Sequence, residues 1–242
     1  MSTYKNIRGK AIKSVSTNLS DSGAEGQIWF NTTDNQFKSV VTIQAWSSVA
    51  GMNRSPGTGG TGVSGTSTAT VAFGGQKDNP YPVITDTEEF NGSGWSTSGA
   101  VPAARYSWIG GIGIQTAAVG AGGLTSPGPV STDSYEYNGS SLTADGSIST
   151  GRCDAGGAGT LTAGLAMGGR TGGPGASSNS TAVEEYNGTS WTGGTVMPAA
   201  TDQFTGAGLQ TAALAIAGYT PPTNSNATEE YGGTSWTGGG NL

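Results

Sequence analysis

One segment occurs four times along this chain, and its spacing restricts the possible folds more than any other feature. The copies span residues 68–95, 115–142, 161–191 and 210–236. One aromatic position recurs at separations of 47, 49 and 45 residues, occupied by Phe90, Tyr137, Tyr186 and Tyr231. A period of this length is typical of repeat proteins in which each copy forms one small structural unit. We therefore expect four similar units in series.

A second recurring position supports the same alignment. It is occupied by Trp95, Leu142, Trp191 and Trp236, with the same separations. Counting back 49 residues from Trp95 reaches Trp46, which is a fifth copy of that position alone. The alignment also explains much of the composition, because many of the 44 glycines among 242 residues fall at equivalent places in the units. A chain this rich in glycine with only 11% charged residues would otherwise suggest disorder.

Each unit predicts four short β-strands. The first strand is a glycine-rich stretch such as residues 108–113, and the second is a small apolar run that ends in Gly-Gly. The third strand is the TEEF or VEEY stretch, and the fourth carries the tryptophan. Asn-Gly between the last two strands predicts a tight hairpin in which both turn residues have positive φ. We expect the Gly-Gly pairs to lie where inner strands converge too closely for a side chain.

Residues 46–242 resemble the kelch repeat, in which Gly-Gly follows a hydrophobic strand and precedes an aromatic residue and a tryptophan. The resemblance implies an all-β fold, a small kelch-like β-propeller of four to five blades of short antiparallel strands. Ala217-Gly218 and Leu142 depart from the pattern. The blade count stays open between a four-bladed ring with an N-terminal hairpin, a five-bladed ring with an irregular first blade, and blades completed between chains.

The N-terminal region carries a second resemblance. Residues 1–20 and the EGQIWFN stretch at 25–31, together with residues 210–236, resemble structural proteins of tailed phages of marine bacteria, especially cyanophages. This resemblance implies a virion protein: a tail fibre, a tail or baseplate appendage, or a capsid decoration. It implies other virion proteins as partners, a homo-oligomer in the particle, and synthesis in the host cytoplasm. We expect three regions: a docking arm at 1–26, a hairpin and linker or irregular first blade at 27–57, and the kelch-like repeats at 58–242.

Charge is distributed unevenly between the N-terminal region and the remainder. Residues 1–38 hold five basic and three acidic side chains, whereas residues 39–242 hold five basic and thirteen acidic ones. We expect the basic N-terminus to dock on the virion, through Tyr4, Lys5, Arg8, Lys10 and Lys13. The net charge of −6 argues against nucleic acid as a partner. The sequence has no long apolar run for membrane insertion and no signal-peptide pattern.

The residue types present argue against an enzyme. The chain has no histidine, so it has no imidazole base or ligand, and the copper site of galactose-oxidase-type kelch proteins does not carry over. Cys153 is the single cysteine, and we interpret it as a small strand residue. Glu88-Glu89, Glu184-Glu185 and Glu229-Glu230 could suggest a glycosidase pair, but strand neighbours point to opposite faces and the pair recurs, which favours an architectural role. We expect no cofactor and no metal.

Two further expectations concern binding and stability. The segments between the second and third strands vary most between units, and such loops often carry binding sites. Tyr81, Trp108 and Tyr219 could stack on sugar rings of a host-surface glycan, so a carbohydrate-binding adhesin is the alternative function. Arg54, Arg105 and Arg152 follow the tryptophan position at similar distances, and we expect them to form ion pairs with third-strand glutamates of a neighbouring blade.

Overall fold

The structure is a computed structural model and consists of β-strands joined by turns and loops. It describes residues 13–16, 28–39, 49–54, 62–77, 82–125, 128–173 and 178–242. Within these ranges the chain contains no helix and forms five small sheets, so the predicted all-β class is confirmed. The chain divides into two compact units, residues 1–48 and 49–242.

The first unit contains a three-stranded sheet. Its strands are β1 (Lys13–Val15), β2 (Ile28–Asn31) and β3 (Gln36–Ser39). β1 pairs with β2 in parallel, and β2 and β3 form the predicted hairpin. Trp29 is buried at 2% exposure, and the Asn31 side chain accepts hydrogen bonds from the backbone of the turn. Lys13–Val15, which the sequence placed in the docking arm, is therefore a strand of this sheet. Trp46 lies outside the described residues.

The second unit contains four four-stranded antiparallel sheets, each in simple chain order. The first two sheets comprise β4 (Gly62–Thr66), β5 (Ala69–Phe73), β6 (Thr87–Phe90) and β7 (Trp95–Ser98), then β8 (Ile109–Ile114), β9 (Ala117–Ala121), β10 (Ser134–Tyr137) and β11 (Leu142–Asp145). The last two comprise β12 (Gly156–Thr160), β13 (Ala163–Met167), β14 (Val183–Tyr186) and β15 (Trp191–Gly193), then β16 (Thr205–Leu209), β17 (Ala212–Thr220), β18 (Thr223–Tyr231) and β19 (Trp236–Gly238). The four strands predicted for each repeat are confirmed.

The turns between the third and fourth strands differ from the predicted two-residue hairpin. Phe90 pairs with Trp95, so the first of these loops has the four residues 91–94. Gly92 has φ +92°, whereas Asn91 is not among the residues of positive φ. The Asn91 carboxamide instead accepts hydrogen bonds from the backbone N–H of Ser93 and Gly94, each at 3.0 Å. The asparagine side chain closes the turn from within, which removes the need for positive φ at its own backbone.

The Gly-Gly pairs also have a different role from the one predicted. Gly74, Gly122 and Gly168 have φ of about +60° and lie against the loop that leads into the next sheet. A Cβ on Gly122 would lie 2.3 Å from the carbonyl oxygen of Arg152 in that loop. The second glycine of each pair donates its N–H to the same loop, as Gly123 does to Arg152 at 2.9 Å. The pairs therefore join each sheet to the following loop.

The close approach of backbones occurs instead between the first strands. β4, β8, β12 and β16 lie next to one another in chain order. A Cβ on Gly157 would lie 2.1 Å from the carbonyl oxygen of Gly110, and one on Gly206 would lie 2.4 Å from that of Gly157. The hydrophobic core lies between consecutive sheets, where residues such as Ile112, Val119, Ala166 and Tyr186 pack together. Glycine-lined first strands and apolar faces between sheets thus hold the repeats together.

Candidate functional site

A tyrosine–glutamate hydrogen bond recurs at each interface between consecutive sheets. The hydroxyl of Tyr137 donates to Glu89 of the preceding sheet at 2.5 Å, and that of Tyr186 donates to Glu136 at 2.6 Å. Tyr231 repeats the contact with Glu185 at 2.7 Å. Burial, followed by the hydrogen bond to the carboxylate, raises the pKa of both Tyr137 and Tyr231 to about 12. The three bonds use one equivalent position of the third strand, which is the second glutamate of the predicted pairs Glu88-Glu89 and Glu184-Glu185.

A glutamine contact accompanies the tyrosine at two of these interfaces. Gln115, in the turn after β8, donates to the carbonyl oxygen of Phe90 in the preceding sheet at 2.7 Å. Gln210, after β16, donates to the carbonyl oxygens of Gly164 and Tyr186 at 2.9 and 3.0 Å. A primary amide can satisfy two such carbonyls at once because it carries two N–H donors.

The first glutamate of each predicted pair lies on the opposite face of its strand from the second, as strand alternation predicts. The Arg152 guanidinium lies 3.0 Å from Glu184, and Arg54 lies 3.5 Å from Glu88; all four side chains are almost fully buried. Burial lowers the pKa of Arg152 and of Arg54, and the glutamate partners oppose that shift. A buried ion pair of this kind is strongly destabilising when one partner is removed.

The expected pairing with a third-strand glutamate is therefore confirmed for Arg54 and Arg152 and wrong for Arg105. Arg105 pairs with Asp133 and lies over the rings of Trp108 and Tyr135, because Tyr135 occupies the position of the first glutamate. Each arginine lies in the connection before the sheet that holds its partner.

A cluster of charges joins the loop after β13 to the connections that precede the third and fourth sheets. Arg170 contacts Asp154 and lies 3.5 Å from Asp202, which also accepts a hydrogen bond from Asn179 at 3.0 Å. Burial raises the pKa of Asp202. Cys153 is buried, and that burial, followed by the charge of Asp154, raises the pKa of its thiol to about 12. The thiol therefore stays protonated at neutral pH, which is the inert state of cysteine.

The loop aromatic residues proposed for sugar stacking have different surroundings where the structure describes them. Tyr81 lies outside the described residues. Trp108 is only 5% exposed; it packs edge-on against Phe73 and donates its indole N–H to the carbonyl oxygen of Arg105 at 2.9 Å. Its burial removes Trp108 from the predicted binding residues, since a stacking surface must be open to the sugar. Tyr219 is half-buried on the β17–β18 hairpin.

Of the predicted docking residues, Tyr4, Lys5, Arg8 and Lys10 lie outside the described residues. Lys13 begins β1, where its backbone pairs with Trp29.

The fourth sheet has one open face, which is concave. Thr211–Leu214, Glu230–Gly232 and Thr237 line a groove of about 440 Å³. Glu230 is exposed and Leu214 is half-buried there. The equivalent Leu165 of the third sheet is completely buried. This face is therefore equivalent to the face of the third sheet that the fourth sheet covers.

Sequence reasoning missed the tyrosine–glutamate bonds and the open face. A signal was available for the bonds, because tyrosine occupies the aromatic position in three copies and a glutamate precedes that position in all four. The open face gives no such signal, since its exposure depends on how the four-stranded sheets pack on one another.

The comparisons with known proteins assign the chain to no family. No protein-family model matches it, and no curated protein matches it. Among the described residues, no group of three or more potential ligand side chains could hold a metal ion. Within the same part of the chain, no helix is long and apolar enough to cross a membrane.

Proposed function

We propose that this chain is a structural protein of a tailed-phage virion, anchored by its N-terminal region and projecting its repeat body. The resemblance of residues 25–31 and 210–236 to phage structural proteins supports the virion assignment. The division into two compact units is compatible with one region that docks and another that projects.

The proposed architecture of the body is a kelch-like propeller arrangement to which one chain contributes four blades. Each four-stranded sheet would be one blade, with β4, β8, β12 and β16 as the inner strands. The chain-order topology of each sheet and the glycine contacts between successive first strands support this arrangement. The three-stranded sheet is not counted as a blade because its β1–β2 pair is parallel.

The observation that carries the proposed function is that polar side chains at equivalent positions repeatedly link one sheet to the next sheet or to the preceding loop. Glu89, Glu136 and Glu185 each accept a hydrogen bond from the next sheet. Glu88 and Glu184 each hold a buried arginine from the preceding loop. Catalytic groups come together in one site, whereas these carboxylates occupy equivalent positions in successive sheets, as a structural role requires.

The proposal is tested by particle incorporation. An epitope-tagged copy would be expressed during infection by the phage that encodes the chain, and purified particles would be probed for the tag. We expect the full chain to be incorporated and a variant lacking residues 1–26 to be lost from particles. The combined replacement of Lys5, Arg8 and Lys10 by alanine should reduce incorporation, because it removes cationic groups of the proposed docking region.

The matched control is Lys77→Ala, which removes an exposed cation of the repeat body and should leave incorporation unchanged. Circular dichroism of each purified variant distinguishes loss of docking from loss of folding. A full chain that never copurifies with particles would contradict the virion assignment. A folded truncated chain that is incorporated normally would contradict the docking role of the N-terminus.

A further inference from the structure

The open face of the fourth sheet is equivalent to a face that the three preceding sheets each bury. At each of those interfaces this face supplies the glutamate that accepts the tyrosine hydrogen bond. Ala158 and Leu165 of the third sheet, 1% and 0% exposed, are covered by the fourth sheet. Their equivalents Ala207 and Leu214 are exposed and half-buried. The fourth sheet therefore presents the apolar surface that its predecessors bury.

The polar groups of this face define the chemistry of its occupant. Glu230 is equivalent to Glu185, which accepts the hydroxyl of Tyr231. The paired residues Ala213 and Tyr231 are equivalent to Gly164 and Tyr186, whose carbonyl oxygens accept the Gln210 amide. The occupant must therefore supply donors, since a carboxylate or carbonyl buried without one carries a large desolvation cost. A tyrosine hydroxyl and a primary amide are the donors used at the internal interfaces.

The first sheet of another copy does not supply these donors. Phe90 stands where the later sheets have tyrosine, and Ser67 stands where the second and fourth have Gln115 and Gln210. Phe90 is also already buried and packs on Trp95 with ring centroids 5.2 Å apart. Two copies joined symmetrically through this face would bring their Glu230 carboxylates together, which like-charge repulsion disfavours.

We propose that the open face of the fourth sheet docks one sheet of the same repeat type carried by a different chain. The partner sheet bears a tyrosine on its third strand and a glutamine in its first turn. The tyrosine donates to Glu230, the glutamine donates to the carbonyl oxygens of Ala213 and Tyr231, and Leu214 becomes buried. This inference rests on the contacts between sheets and is independent of the virion assignment.

The test supplies such a sheet by extending the chain. Residues 240–242 are replaced by a second copy of residues 195–242, which preserves the spacing between the third and fourth sheets and carries its own Gln210 and Tyr231. The matched control is the same extension with the copied Tyr231→Phe and the copied Gln210→Ser, which reproduces the residues of the first sheet. Hydrogen exchange at Ala212–Leu214 reports whether the added sheet covers the face.

We expect the donor-bearing extension to slow exchange of these amides by about tenfold or more relative to the unextended chain. The control extension should protect these amides about fivefold less than the donor-bearing extension, because a hydrogen bond is removed. Glu230→Ala in the donor-bearing extension should reduce the protection by a similar factor for the same reason. Equal protection by both extensions would overturn the donor requirement. No protection by either would overturn the docking face. Self-association of the unextended chain in sedimentation, abolished by Leu214→Glu, would identify a second copy as the occupant and also overturn the proposal.

Discussion

At the scale of single residues, glycines determine how closely the repeats can pack. Gly157 and Gly206 lie in first strands, where the carbonyl oxygen of the neighbouring first strand occupies the space of a side chain. Other glycines of the chain, such as Gly94, have open space at the same position. The glycine content is therefore a packing requirement at some positions and incidental at others.

This difference predicts the outcome of alanine substitution. Gly206→Ala should lower the free energy of unfolding by about 1–3 kcal/mol, because the added methyl group overlaps backbone that must shift. Gly94→Ala is the matched control and should change stability by less than about 0.5 kcal/mol. Urea denaturation followed by tryptophan fluorescence measures both. Equal effects of the two substitutions would show that the first strands do not approach as closely as described.

At the scale of strands and sheets, the tyrosine–glutamate bonds couple consecutive sheets to pH. Tyrosine hydroxyls of the unfolded chain ionise near their ordinary pKa of about 10, whereas those of Tyr137 and Tyr231 remain protonated up to about 12 in the folded chain. The folded state binds more protons across that interval. This stabilisation is therefore complete below pH 10 and is lost as the pH rises towards 12.

We expect the free energy of unfolding to fall steeply over this alkaline window. The double variant Tyr137→Phe and Tyr231→Phe should be less stable at about pH 9, by about 1 kcal/mol per lost bond. It should also lose less stability between about pH 9 and 11, because fewer raised pKa values contribute. Urea denaturation at the two pH values measures the slope, with Tyr219→Phe on the β17–β18 hairpin as the control. A double variant with the slope of the unmodified chain would contradict this coupling.

At the scale of the whole molecule, the two compact units predict that the repeat body folds without residues 1–48. The fragment 49–242 should keep its β-sheet circular dichroism and a cooperative thermal transition. A shorter fragment, 62–242, should be less stable by about 3–5 kcal/mol, because it lacks Arg54 and leaves Glu88 buried without its ion-pair partner. Thermal unfolding of both fragments measures the difference.

The variant Arg54→Met in fragment 49–242 separates the lost ion pair from the lost chain length, and it should reproduce most of the destabilisation. If 62–242 unfolded at the same temperature as 49–242, the Arg54–Glu88 pair would have no part in holding the first sheet.

The sequence by itself determined the repeat period, the all-β class and the four strands of each unit, because these depend on local patterns of small apolar residues and turn residues. It also determined that Glu88 and Glu89 act on opposite faces, since that follows from strand alternation. The sequence also predicted an ion pair between Arg54 and a third-strand glutamate, but only the tertiary structure decided that the partner is Glu88 and that Glu89 accepts a hydrogen bond from Tyr137. The same holds for Trp108, an apparent loop aromatic that packing places in the core, and for the open face of the fourth sheet. The physical reason is that covering a face requires contacts between residues 46–50 positions apart, such as Tyr231 with Glu185 and Tyr186 with Glu136, and local sequence does not specify which surface arrives there.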